Sequence, residues 1–173
     1  MGPSMTELDE IVFRSLKAFT DEVFLEPPPG HKRWEGMERG AVSLFAFGPL
    51  LKECRKGSVL YDPAQIGMEV RVSRPPKEGV KGAKATRICK DLVIWPRPKL
   101  TWRDESGPLA ILEWKTNREV VSAENVAWLR DFSKNLDGFT GYAVCLDLDQ
   151  RNFRLSVTRV SRGSDQPNWK VIK

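Results

Sequence analysis

The sequence is poor in the residues that build zinc sites and disulfide frameworks. Its 173 residues include one histidine, His31, and three cysteines, Cys54, Cys89 and Cys145. None of these residues form a pair with zinc-site spacing, and an odd number of scattered cysteines is not a disulfide framework. We therefore expect neither a zinc site nor structural disulfides, and a reducing cytoplasm is the expected compartment.

Long apolar segments are also missing. No stretch approaches the ~18 apolar residues that a membrane-spanning helix needs. Residues 1–5 contain neither the charged region nor the apolar region of a signal peptide. The sequence therefore predicts a protein without a membrane partner.

An excess of basic residues points to a polyanionic partner. The formal net charge is +5, from 28 Lys and Arg against 23 Asp and Glu. Seven of the basic residues fall within positions 71–90, where Pro and Gly also predict a loop over 74–84. Two interpretations stand for this loop: it contacts nucleic-acid phosphates, or its charges are simply solvated.

Hydrophobic periodicity divides the chain into an N-terminal helix and a larger domain. Apolar residues recur at helical spacing over positions 8–23, and the proline-rich stretch 26–30 ends that helix. We therefore treat residues 1–30 as a helix with a stiff joint and residues 31–173 as one α/β domain.

Within residues 31–173 the pattern predicts helices and strands in alternation. The predicted order is a helix from about residue 32 with a kink at Gly48-Pro49, strands near 66–72, 87–95 and 109–115, a helix capped by Ser122, and strands near 142–148 and 153–157. Because the second helix separates two strands as a crossover does, we expect a parallel pair and a mixed sheet flanked by helices.

Two of these predicted strands carry charges that a buried strand normally lacks. Glu113 and Lys115 stand two residues apart at the end of an apolar run, so their side chains point to the same side. The preceding strand carries Asp91, which strict alternation places with Cys89, Val93 and Trp95. Such charges are found in a core only when they are paired, metal-bound or chemically used. The alternative is an ordinary ion pair at a strand end.

This pattern of Asp91 followed by Glu113-Trp114-Lys115 on adjacent strands resembles the PD-(D/E)xK nuclease superfamily. The resemblance covers about residues 38–148, and Lys90 stands where the family often has proline. It implies the restriction-endonuclease-like fold, with an αβββαβ core, here extended by an N-terminal helix and a C-terminal strand. It also implies a metal-dependent nuclease, with DNA as the expected substrate.

The resemblance assigns a role to each residue of the pattern. Asp91, Glu113 and the backbone carbonyl of Trp114 would bind Mg²⁺ or Mn²⁺, and Lys115 would be the catalytic cation. Both carboxylates should then lie within reach of one cation, about 4–6 Å apart.

The family often adds a glutamate from the first core helix as a further metal ligand. Glu38 is our candidate, and Glu35 and Glu69 remain alternatives. The competing functional hypothesis is a module of the same fold that has lost catalysis and holds nucleic acid or a partner protein. The sequence leaves open DNA or RNA, endo or exo action, and monomer or homodimer.

Overall fold

The apolar residues pack against both faces of one six-stranded sheet. The computed structural model describes residues 5–23, 38–73, 87–101, 107–118, 120–148 and 153–173. Its helices are α1 (Glu7–Val23), α2 (Glu38–Phe45) and α3 (Ala123–Ser133). Its strands are β1 (Ile66–Ser73), β2 (Arg87–Ile94), β3 (Ala110–Thr116), β4 (Thr140–Leu148), β5 (Phe153–Ser161) and β6 (Ser164–Ile172).

The strands lie in the sheet in their order along the chain, from β1 to β6. Neighbouring strands are antiparallel except for β3 and β4, which are parallel. A parallel pair needs a crossover, and α3 supplies it between these two strands. The expected α/β class with a mixed sheet is therefore confirmed.

Helices α1 and α2 cover one face of the sheet, which we call the α2 side. The apolar stripe of α1 is buried there, and the rings of Phe19 and Phe45 lie 5.5 and 5.2 Å from that of Trp114. After α2 the chain continues as a π-helical turn, Ala46–Leu50, which contains Pro49. The predicted kink at Gly48-Pro49 thus takes the form of a widened turn, because proline cannot donate to the regular ladder.

Helix α3 covers the opposite face, which we call the α3 side. Ser122 caps the helix by accepting a hydrogen bond from the Asn125 amide, as predicted. Leu129 of α3 packs in a second core with Val93 and Ile111 of the sheet. Nowhere in the described part of the chain does a helix combine the length and apolar character needed to cross a membrane.

A buried polar network joins the start of α1 to strands β4 and β5. Asp9 is 0% exposed and accepts hydrogen bonds from Arg159 at 2.6 and 3.0 Å and from the Tyr142 hydroxyl at 2.8 Å. It also bonds Thr6 in a reciprocal cap. Burial alone would raise the pKa of Asp9, but these hydrogen bonds, led by Arg159, hold that pKa below its usual value.

The last strand was missed by the sequence prediction, which ended with one strand near 153–157. The structure extends β5 to Ser161 and adds β6 at the edge of the sheet. The sequence of β6, SDQPNWKVI, contains Pro167 and mostly polar residues. An edge strand tolerates both, because one of its sides has no ladder to complete, so the usual strand signals are weak there.

We expect Asp9→Asn to lower the free energy of unfolding by about 3–5 kcal/mol, because it leaves the Arg159 guanidinium buried without a full counter-charge. The double variant Asp9→Asn/Arg159→Met should recover part of this loss. Urea-induced unfolding followed by circular dichroism would measure both. The matched control is Glu10→Gln, on the exposed side of the same helix, which should change stability by less than about 0.5 kcal/mol. Equal effects at positions 9 and 10 would contradict this account.

Candidate active site

Strands β2 and β3 diverge at the end that carries the charged residues. Within the described strands, their paired residues end at Leu92 and Leu112. Beyond that point β2 continues to pair only with β1, and β3 only with β4. In place of a strand partner, the Trp114 amide donates a 2.7 Å hydrogen bond to Asp91 Oδ2. The side chain of Asp91 thus completes the backbone bonding at this divergence, which we call the β2–β3 gap.

The alternation of side chains along β2 breaks at Asp91. Leu92 packs in the core of the α2 side, whereas Val93 and Trp95 pack on the α3 side, as alternation requires. Lys90, two residues before Leu92, should share its side but instead contacts α3. Asp91 itself lines a pocket beside α2. The prediction that Asp91 shares a side with Val93 and Trp95 was therefore wrong, because Asp91 turns to accept the Trp114 amide.

Strand β1, which pairs with β2, shows a similar break in the alternation of its side chains. Met68 packs with the core of the α2 side and Val70 with that of the α3 side, so alternation also fails between them. The residue between, Glu69, has a φ of 48°. This left-handed conformation is uncommon for a residue other than glycine, and strained residues of this kind concentrate at functional sites.

On the α2 side, three carboxylates line a single pocket of about 300 Å³. Its lining residues are Glu38, Arg39, Val42, Ser43, Met68, Glu69 and Asp91. Glu69 contacts the exposed Arg39 at 2.8 Å. Within the described ranges, however, no group of three or more His, Cys, Asp or Glu side chains is arranged to hold a metal ion.

Lys115 of β3 pairs with Glu38, one of the residues that line this pocket. Its Nζ donates to Glu38 Oε1 at 2.8 Å, and about a third of each side chain is exposed. Burial and the charge of Glu38 raise the pKa of Asp91, and the positive charge of Lys115 opposes that rise. The structure thus brings together Glu38, Asp91 and Lys115, three of the residues predicted from the sequence.

Glu113 lies on the other side of the gap, against Lys90. Lys90 Nζ is 2.9 Å from Glu113 Oε1, and the two side chains are only 7% and 8% exposed. The same ammonium lies 3.7 Å from the centre of the Trp128 ring on α3. Lys90 is therefore the charge partner of Glu113 Oε1.

Burial dominates the electrostatics of both carboxylic acids. It raises the pKa of Glu113 to about 6, against the lowering effect of Lys90, and the nearby charge of Asp91 adds to the rise. Burial also raises the pKa of Asp91, while the hydrogen bond from the Trp114 amide opposes that rise. The pKa of Glu113 therefore responds to Asp91 and to both lysines, and the pKa of Asp91 responds to Glu38 and to both lysines.

The expectation that Glu113 and Lys115 point to the same side was wrong, because Lys115 bonds Glu38 of α2 whereas Glu113 pairs with Lys90 against α3. Asp91 lines the pocket beside α2 and so also lies on the other side of the gap from Glu113. A separation of about 4–6 Å between the two carboxylates stays a prediction. The sequence analysis places Lys90 in the basic cluster and as a departure from the family pattern, and assigns it no role at the site. Its position directly before Asp91, inside an apolar run, was the signal that it is buried. Glu35, His31 and the basic loop at 74–84 lie outside the described residues.

No family model, no curated protein and no solved structure matches this chain. The functional assignment therefore depends on the geometry of this site and on the resemblance of its residues.

The raised pKa of Glu113 gives a pH-dependent prediction for the protein without divalent cations. Between the usual pKa of 4.5 and about 6, the folded carboxylic acid keeps a proton that the unfolded one has lost. Stability from this group is therefore complete below about pH 4.5 and lost as the pH rises through about 6. We expect wild type to lose about 2 kcal/mol relative to Glu113→Gln over that interval.

Urea-induced unfolding of both proteins in EDTA, between about pH 4.5 and pH 7, would measure this difference. Glu124→Gln, on the exposed first turn of α3, is the matched control and should follow wild type. Parallel stability profiles for wild type and Glu113→Gln would contradict the assignment of a raised pKa to Glu113.

Proposed function

We propose that the protein is a metal-dependent nuclease that hydrolyses phosphodiester bonds, with DNA as its substrate and Asp91, Glu113 and Lys115 in its active site. The observation that carries this proposal is the β2–β3 gap. Two carboxylates and two ammonium groups meet there, next to the buried apolar residues of both strands. Groups of this kind are seldom found together in a core without a chemical use.

The order and pairing of the elements support the resemblance to the PD-(D/E)xK superfamily. From α2 to β4 the chain runs as helix, three strands, helix and strand. The first three strands form an antiparallel meander, and the fourth is parallel to the third. This is the αβββαβ order that the resemblance implies, and the proposed catalytic residues lie on its second and third strands.

The proposed metal ligands are oxygen atoms, the type of ligand that a hard divalent cation prefers. Mg²⁺ and Mn²⁺ prefer oxygen ligands, and Mg²⁺ is usually held by one or two carboxylates together with waters and substrate phosphates. Asp91 and Glu113 offer carboxylates and Trp114 a backbone carbonyl, although Lys90 already neutralises Glu113 Oε1. A cation bound there would polarise the phosphate and lower the pKa of a bound water.

The side chains of this chain would then divide the remaining tasks. Lys115 would offset the negative charge that develops on the phosphate, because its ammonium bonds Glu38 and its charge already acts on Asp91. Glu38 would hold that ammonium in place, since its carboxylate is the partner of Lys115. This makes Glu38 a positioning residue first and a metal ligand only if Lys115 is released.

Cleavage assays with plasmid, linear duplex, single-stranded DNA and RNA would test the proposal. We expect cleavage of DNA in Mg²⁺ or Mn²⁺ and none in EDTA. Asp91→Ala should abolish cleavage and weaken metal binding. Lys115→Met should leave the metal bound while slowing cleavage by about 10²–10³-fold, the usual loss for one electrostatic stabiliser.

The exposed pair Asp131 and Lys134, on the surface of α3, provides matched controls. Asp131→Ala and Lys134→Met should cleave at the wild-type rate. Cleavage that survives both Asp91→Ala and Lys115→Met would show that the activity belongs to another site or to a contaminant.

A second candidate function is a nucleic-acid-binding module without catalysis. The observation in its favour is that both pairs, Glu38 with Lys115 and Glu113 with Lys90, are already neutralised within the chain. Such a module would bind DNA in every metal condition without cutting it. Its log affinity should fall linearly with log salt, with a slope of about −0.9 per phosphate contacted on duplex DNA.

A further inference from the structure

Lys90 occupies the position at which a cation would meet Glu113. Its ammonium lies 2.9 Å from Glu113 Oε1 in a site that is almost closed to solvent. It reaches that position because β2 turns at Asp91, which places Lys90 on the α3 side while its neighbour faces α2. The same turn therefore sets the orientation of one proposed metal ligand and supplies the counter-charge of another.

The surroundings of Lys90 offer its ammonium a second partner. The Trp128 ring lies 3.7 Å from Nζ, a distance typical of a cation–π contact. If Glu113 turned away, Lys90 could remain against this ring without losing all of its stabilisation. A buried ion pair without such an alternative would resist separation much more strongly, because each charge would be left uncompensated.

Charge compensation makes Lys90 and a divalent cation competitors. The Glu113 carboxylate and the Lys90 ammonium are neutral as a pair. A doubly charged ion that contacts Glu113 would have Lys90 beside it, and like charges at such separations repel strongly in a site that is almost closed to solvent. Binding of the ion therefore requires Lys90 to move away from Glu113.

We propose that Lys90 is the resident counter-cation of Glu113, and that its displacement sets the affinity of the site for divalent metal ions. This inference rests on the proposed function, since it takes Glu113 to be a metal ligand. Lys90 acts through Glu113 and is therefore a positioning residue.

The test is metal binding by Lys90→Met, measured with Mn²⁺ by electron paramagnetic resonance and isothermal titration calorimetry. Because the variant removes a like charge next to the site, we expect its Mn²⁺ affinity to rise by roughly tenfold or more. Lys90→Gln should behave similarly, and Lys90→Arg, which keeps the charge, should stay near wild type. An affinity that is unchanged or weaker in Lys90→Met would overturn the inference.

Lys170→Met is the matched control, because Lys170 Nζ also lies over aromatic rings, 4.2 Å from Phe13 and 5.3 Å from Trp169. It should bind Mn²⁺ as wild type does. An equal rise in this variant would show a general effect of net charge and would overturn the role of Lys90. Absence of Mn²⁺ binding from both wild type and Lys90→Met would overturn it as well.

A measurement on the wild-type chain keeps the inference testable if the neutral variants do not fold. The side-chain ammonium resonance of Lys90 can be identified by nuclear magnetic resonance as the one lost in Lys90→Arg. We expect it to shift when Mg²⁺ is added, because its carboxylate partner changes. An unchanged resonance at saturating Mg²⁺ would overturn the inference.

The cleavage assay separates this inference from the proposed function. Mn²⁺ affinity that depends on Lys90, in a protein that cleaves no substrate, would leave Lys90 in its role and overturn the nuclease. Metal-dependent cleavage combined with an affinity that ignores Lys90 would keep the nuclease and overturn the role of Lys90.

Discussion

The need to compensate buried charge governs the end of the sheet where β2 and β3 diverge. Glu113 and Lys90 are almost fully buried and neutralise one another. Lys115 extends to Glu38 on α2, and Asp91 accepts the amide that strand pairing leaves without a partner. Each of these contacts is available only because the strands separate there. The divergence of the strands and the pairing of the charges are therefore one structural feature.

This feature gives the site two sides that differ in chemistry. The α2 side holds an open pocket with three carboxylates and a lysine that is partly exposed. The α3 side holds a closed ion pair against an aromatic ring. On the proposed function, substrate would approach from the open side, and the closed ion pair would determine whether Glu113 can bind a metal ion. Catalysis would then require a rearrangement of side chains but no change in the fold.

Much of the fold and of the site could be predicted from local pattern. The helix at α3, its Ser122 cap and the charged ends of β2 and β3 followed from periodicity and from charges placed inside apolar runs. Two predictions failed for physical reasons. The edge strand β6 lacks strand signals because only one of its sides is paired. The predicted side of Asp91 was wrong because its hydrogen bond with the Trp114 amide overrides the alternation of side chains along β2.

The sequence alone identified the residues of the proposed site, because Asp91, Glu113 and Lys115 are charged residues within largely apolar runs. It also determined the alternation of helices and strands, which depends on local spacing. Only the tertiary structure decided which charge meets which. The partners Lys90 and Glu113, and Glu38 and Lys115, are far apart in the chain. They are brought together by the course of the strands, and a contact of that kind leaves no periodic trace in the sequence.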